Sequence, residues 1–212
     1  MPTIAVFGAT GRTGLPFVQK ALDAGYAIRA LVRNPAKMSI RHPKLTLIAG
    51  SSLDAAKVDE TVAGADGVVS LLGQGKDSPA DLQTRSTQYI LDAMRHHGLR
   101  RIVSLTGGGV RDAVRDRPGF MDNAFVFVMK LAVPNVLKDA ANHADLIRRT
   151  DLDWTIVRGP RLTDDPPKGT YQIGYVGTVP GFGLTRADLA DFILKTYQQG
   201  TYVREMPFVT NG

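Results

Sequence analysis

Glycines at 8, 11 and 14 stand in the segment Val6-Phe7-Gly8-Ala9-Thr10-Gly11-Arg12-Thr13-Gly14, after a short apolar run and before a helical pattern. Each position has a physical use. Gly8 allows a tight turn, Gly11 lets backbone approach a pyrophosphate, and Gly14 permits close helix-to-strand packing. The helix that follows offers free N–H groups and a partial positive charge to an anion. Glycines alone are a weak signal. The strand before and the helix after supply the context that a dinucleotide-binding turn requires. The competing reading is a structural turn with incidental glycines.

A second chemical signal lies at the end of the next strand, Leu31-Val32-Arg33-Asn34. A site for NAD usually has an acid there, accepting from the ribose hydroxyls. No Asp or Glu occurs from Ala24 to Leu53; Arg29, Arg33, Lys37, Arg41 and Lys44 do. Arg33, with Arg12 beside it, suits a 2′-phosphate through charge-assisted hydrogen bonds. The alternative is a solvated basic face, and the missing acid favours the phosphate. The expected cofactor is therefore NADP(H).

These residues need a scaffold. Ile4–Phe7, Ala27–Val32, Leu45–Ile48, Gly67–Leu72, Arg101–Leu105, Trp154–Val157 and Tyr202–Val209 read as strands. Leu15–Ala24, Asp54–Ala63, Asp81–His97, about Asn135–Arg149 and about Arg186–Gln198 read as helices. Asp54 is placed to cap its helix and Gly25 to stop the first one. Such alternation predicts right-handed crossovers and a parallel sheet. The fold class is α/β, a Rossmann-type doubly wound sheet in three α/β/α layers, with residues 1–212 as one domain. Ligands in such folds sit beyond the carboxyl ends of the strands. Substrate-side loops are expected around 107–134 and 163–183. The stretch Gly107–Asp122 reads as a mobile loop. Met121, Phe125, Phe127 and Met129 form an apolar cluster, either a lid over a planar substrate or the packing face of a short helix.

Thr106 ends a buried strand at the crevice, where it either hydrogen-bonds the cofactor or caps the next turn. Arg161 either binds a substrate anion or makes a surface ion pair. These two are the catalytic candidates. The Tyr and Lys spaced by four that ordinary short-chain dehydrogenases use for proton transfer are missing. Lys138 has Pro134 four positions before it, Lys130 has Val126, and Tyr171 and Tyr175 have no lysine four residues on.

Composition narrows the classes. The chain has 212 residues, no cysteine, and 26 Lys plus Arg against 20 Asp plus Glu, a net charge of +6. Thiolate metal sites and disulfides are excluded. The excess charge is spread, without the aromatic-and-basic stripe of a nucleic-acid surface, so no nucleic-acid partner is expected. The histidines are His42, His96, His97 and His143. None forms a metal-spaced pair, and adjacent His96 and His97 should point to different sides of a helix, so no metal is expected. The N-terminus is not a signal peptide and no segment has the length of a membrane span. The expectation is a cytoplasmic monomer or small homo-oligomer.

On Phe7-Gly8-Ala9-Thr10-Gly11-Arg12-Thr13-Gly14, Ala30-Leu31-Val32-Arg33, Val62-Ala63-Gly64-Ala65-Asp66, Leu71-Leu72-Gly73 and Pro160-Arg161-Leu162-Thr163-Asp164, the chain resembles atypical short-chain dehydrogenase/reductases that bind NAD(P)H. The nearest type is biliverdin reductase B / flavin reductase, with NmrA-like relatives. The resemblance covers nearly the whole chain and is weakest over Gly107–Pro134. It implies Thr10 to Thr13 on the pyrophosphate and Arg33 on the 2′-phosphate. It also implies Ser51, Ser52, Leu71, Leu72 and Gly73 on the adenosine side, with Thr106 and Pro160-Arg161-Leu162 near the nicotinamide. Two departures matter. Biliverdin-reducing members have a serine after the fifth strand and a histidine after the sixth, where this chain has Gly107 and Arg161. Many relatives end the third strand Gly-Asp, where this chain has Gly50-Ser51. The first departure disfavours a tetrapyrrole acceptor, and the second changes one adenine contact. The reading is an NADPH-dependent reductase of a planar acceptor, flavin or quinone. The alternative is an NADP(H)-sensing regulatory protein of NmrA-like type.

Overall fold

The computed structural model describes residues 2–75 and 78–212. Strands and helices alternate through the first half: β1 (Thr3–Phe7), α1 (Gly14–Asp23), β2 (Ala27–Val32), β3 (Leu45–Ala49), α2 (Ala55–Val62), β4 (Gly67–Ser70), α3 (Leu82–His96) and β5 (Arg101–Gly107). The second half adds α4 (Phe120–Ala132), α5 (Pro134–Arg148), β6 (Asp153–Gly159), β7 (Arg161–Thr163), β8 (Gln172–Gly174), β9 (Gly183–Thr185), α6 (Arg186–Gln199) and β10 (Phe208–Thr210).

Among the described residues, the main sheet runs β3-β2-β1-β4-β5-β6-β10-β8, and β7 pairs with β9 apart from it. All its pairings are parallel except β10 with β8 at one edge. The expected doubly wound Rossmann-type sheet is observed. Phe7 lies opposite both Leu31 and Ser70. Strand order reverses there, which opens a crevice at the carboxyl ends of β1 and β4.

Period-2 alternation sends β1 side chains to two cores. Ile4 and Val6 pack with Phe17 and Val18 of α1 and with Leu189 and Ile193 of α6. Ala5 and Phe7 pack with Val58 of α2, Ile90 and Met94 of α3, and Ile147 of α5. Burial on both faces explains the continuous apolar reading of this strand.

Helix ends follow local chemistry. Asp54 accepts from the Ala56 and Lys57 amides, capping α2 as expected. Gly25, at φ +93°, closes α1 in the left-handed region. α3 is capped from elsewhere: Asp139 of α5 accepts from the Gln83 and Thr84 amides, both at 2.9 Å, and from Thr84 Oγ1 at 2.6 Å.

Four expectations need correction. The last strand spans Phe208–Thr210, not Tyr202–Val209. Tyr202 and Arg204 take φ of 56° and 58°, left-handed values that no extended ladder tolerates, and Pro207 has no N–H to donate. The Gly107–Asp122 stretch is not a free loop, because its middle is bound into the core as described below. The apolar cluster of Met121, Phe125, Phe127 and Met129 sits on α4, which buries no residue, so it is not a packing face within this chain. Finally, His96 and His97 do not diverge. His96 ends α3 and His97 is its C-cap, and both rings contact the same carboxylate oxygen of Asp59 on α2. No single helix among the described residues is long and apolar enough to cross a membrane.

Candidate cofactor site

The turn between β1 and α1 is built around its glycines. Gly8 has φ +81°, and a Cβ there would lie 2.6 Å from the Leu71 carbonyl oxygen. A Cβ on Gly14 would lie 2.1 Å from the Gly8 carbonyl oxygen, and one on Gly11 3.1 Å from the same atom. The Gly11 amide donates to that oxygen at 3.0 Å, closing the turn. The amides of Arg12, Thr13 and Gly14 have no acceptor among the described residues. Thr13, the N-cap, makes no side-chain cap, and the first turn of α1 holds no acid. The positive end of this helix is therefore uncompensated and faces the crevice.

The basic cluster sorts itself by partner. Arg29 donates to the Thr61 and Glu60 carbonyls at 3.2 and 2.6 Å, tying it to the end of α2. Lys44 Nζ donates to the Gly25 carbonyl at 3.2 Å, and Arg41 donates to Met38 and Ile40 carbonyls. Arg33 is exposed at the end of β2 and makes no hydrogen bond or ion pair among the described residues. Arg12 lies 3.4 Å from the Asp164 carboxylate, with both side chains more than half exposed. Such a pair is weak and leaves the guanidinium free to turn toward an anion.

The other predicted residues divide. Leu71 is buried against the turn and its amide donates to the Phe7 carbonyl at 2.8 Å. Leu72 is half-buried and Gly73 is exposed, with open space around it. Ser51 Oγ accepts from the Leu53 amide at 3.1 Å, and Ser52 Oγ accepts from Ser86 Oγ at 2.9 Å, so both hydroxyls already shape the β3–α2 connection. Thr106 is only 6% exposed, and its Oγ1 has no partner among the described residues. Beside it, β6 leads through Pro160 into β7, where Arg161 is exposed without an ion pair among the described residues. The surface ion pair weighed for Arg161 is therefore not formed among the described residues.

Glycines that exclude a Cβ, a helix start without an acid and an orphaned buried hydroxyl together fit a dinucleotide lying across the strand ends.

Sequence reasoning missed what lies under the site. Arg158, at 0% exposure, donates to both Asp116 carboxylate oxygens at 2.7 and 2.8 Å, to the Val110 carbonyl at 2.9 Å and to the Met206 carbonyl at 2.6 and 2.8 Å. Asp116 also accepts from the Asp112 and Val176 amides at 2.8 and 3.1 Å. Burial pushes the Asp116 carboxyl up, but these donors outweigh it and hold the carboxyl below its usual range. One buried pair thus binds the segment after β5 and the segment around Val176 to the sheet. The signal was an arginine in an otherwise apolar strand, one residue beyond the expected end at Val157.

Two tyrosines of the 163–183 stretch have raised phenol pKa values. Burial and then Glu205 push the Tyr175 phenol up to about 12. Burial and then Asp191 raise that of Tyr171. Both shifts run opposite to what general-base work requires. Lys138 is exposed on α5.

Comparison with known proteins agrees with this geometry. An uncharacterized chloroplastic protein of Arabidopsis thaliana is 27% identical over 205 residues, covering 92% of this chain and 72% of its own. Reductase pytE of Aspergillus terreus is 28% identical over 241 residues, covering 92% and 90%. Among solved structures, ChuY, an anaerobillin reductase of Escherichia coli O157:H7, superposes with TM-score 0.79 at 20% identity, covering 100% and 97%. The oxidoreductase ylbE of Lactococcus lactis does so with TM-score 0.81 at 17% identity, covering 99% and 91%. Residues 8–199 match the family described as NAD(P)H-binding, and with the turn, the strand order and that match together, the chain belongs to this NAD(P)H-binding family.

Proposed function

We propose that the protein is an NADPH-dependent reductase of a planar conjugated acceptor, flavin or quinone. The observation that carries the cofactor choice is Arg33, an unpaired guanidinium at the end of β2, with no acid between Ala24 and Leu53 to accept from a ribose hydroxyl. The amides of Arg12, Thr13 and Gly14 hold the pyrophosphate. Ser51, Ser52, Leu71, Leu72 and Gly73 flank the adenosine side.

A reduced nicotinamide supplies hydride when bound. The chain's own residues orient and shield. Thr106 Oγ1 satisfies its orphaned hydrogen bond on the cofactor, and Arg161 attracts an anionic group of the acceptor. An electron-poor ring accepts hydride with little help from a protein acid, which suits a crevice without a Tyr–Lys pair. The names of two similar proteins, reductase pytE and the anaerobillin reductase ChuY, support reduction as the reaction class. The test mixes purified protein, NADPH and FMN or a small quinone and follows absorbance of the reduced nicotinamide. Acceptor-dependent loss is expected; none across a panel of such acceptors removes the reading.

The second reading, an NADP(H)-sensing regulatory protein, draws on the same missing pair: Lys138 has only Pro134, the first residue of α5, four positions before it. It predicts tight binding, little turnover and unequal affinity for the oxidised and reduced forms, all measurable by calorimetry.

A further inference from the structure

The junction of α2 and α3 brings three ligand-type side chains to one point. Asp59 Oδ1 lies 2.8 Å from His96 Nδ1 and 3.0 Å from His97 Nε2. The two imidazoles lie 4.5 Å apart between ring centroids, tilted by 43°, and the three ligand atoms all fall within 4.8 Å of one another. From this convergence we infer a site for a borderline divalent transition metal, zinc being the best fit, bound by His96 Nδ1, His97 Nε2 and an Asp59 oxygen with water completing the shell.

The donor set carries the choice. Two imidazoles and one carboxylate suit zinc, nickel, cobalt or copper; magnesium and calcium favour all-oxygen shells. Zinc bonds of about 2.0–2.1 Å at tetrahedral angles put ligand atoms ~3.3 Å apart. The two separations from Asp59 Oδ1 need to open by only a few tenths of an ångström, the His96 Nδ1 to His97 Nε2 separation lies within 4.8 Å, and the His96 side chain, 70% exposed, is free to adjust it. The surroundings favour a cation. The site lies at the carbonyl end of α3, the negative end of its dipole. Two basic side chains close to the cluster in sequence already have acids: Lys57 pairs with Glu60 at 2.8 Å and Arg95 with Asp92 at 2.9 Å. The site sits toward the start of β4 and β5, at the opposite ends of the strands from the crevice. Its role is therefore to staple α2 to α3, separate from cofactor chemistry.

The test uses tag-free protein without cofactor, titrated with zinc chloride by calorimetry and with cobalt(II) by visible spectroscopy. A single site with micromolar or tighter zinc affinity is expected. At saturation the Tm should rise by ~5 °C, while magnesium should leave it unchanged. His96→Ala and His97→Ala should each weaken zinc at least tenfold. Absence of saturable 1:1 binding below ~100 µM, or binding that neither variant weakens, overturns the site. If the variants do not fold, the wild-type cobalt spectrum decides: a tetrahedral ligand-field band supports the site, and the spectrum of hexaaqua cobalt overturns it.

Discussion

Arg158 and Asp116 form a two-pronged ion pair sealed from solvent, at 2.7 and 2.8 Å, and through it the segment after β5 is fastened to β6. Removing only the acid leaves a buried guanidinium without its counter-charge. Asp116→Ala should cost about 3–5 kcal/mol, read from urea unfolding. The double exchange Arg158→Met with Asp116→Leu should cost clearly less, since no charge is then stranded. Equal losses would mean that the packing, not the charge pair, holds this region.

The same pair has a pH signature. The Asp116 carboxyl is held below its ordinary value in the folded protein, so its contribution is complete above the unfolded value near 4. That contribution is lost as pH falls through the folded value. Acid unfolding of Asp116→Asn should therefore be shallower below pH ~4 than that of the wild type.

Burial lowers the His143 pKa to about 4, with Asp139 opposing weakly. The folded protein thus keeps this imidazole neutral while the unfolded chain takes up a proton near pH 6.5. Stability is full above that pH and falls as pH drops toward 4. The loss should reach about 2 kcal/mol by pH 5. His143→Leu should flatten this slope in urea titrations at pH 7 and 5; an unchanged slope would assign it to other groups.

Arg33→Asp should lower NADPH affinity at least tenfold, through loss of about 1.5–3 kcal/mol of charged hydrogen bonding plus new repulsion. NADH affinity should change far less. Unaltered NADPH binding in a fluorescence titration would place the 2′-phosphate elsewhere.

Gly14→Ala would drive a methyl into the Gly8 carbonyl, so cofactor affinity and stability should fall together. Gly73→Ala meets open space, and a change within about 0.5 kcal/mol is expected. Thermal melts with and without NADPH compare the two directly.

The fold was legible because β1, α1 and the glycine turn announce themselves by local pattern. Ile4–Phe7 is apolar throughout, Leu15, Val18 and Leu22 recur at helical spacing, and Gly8 must adopt a positive φ. What stayed hidden depends on distant partners. Arg29, Arg33, Lys37, Arg41 and Lys44 look alike in sequence, yet Arg29, Arg41 and Lys44 are spent on backbone carbonyls, while Arg33 and Lys37 have no side-chain partner among the described residues. Tyr202–Met206 has strand-like composition, but Thr155 and Trp154 capture its backbone into a left-handed turn. His96 and His97 meet only because Asp59 stands on the neighbouring helix.

The carboxylate at the head of α3 comes from a residue 55 positions further along the chain. A ribosome that has just released α3 has not yet made the group that finishes it. Until α5 emerges, the opening turn of α3 must stay solvated, and its closure records the moment when the chain's second half docks upon the first.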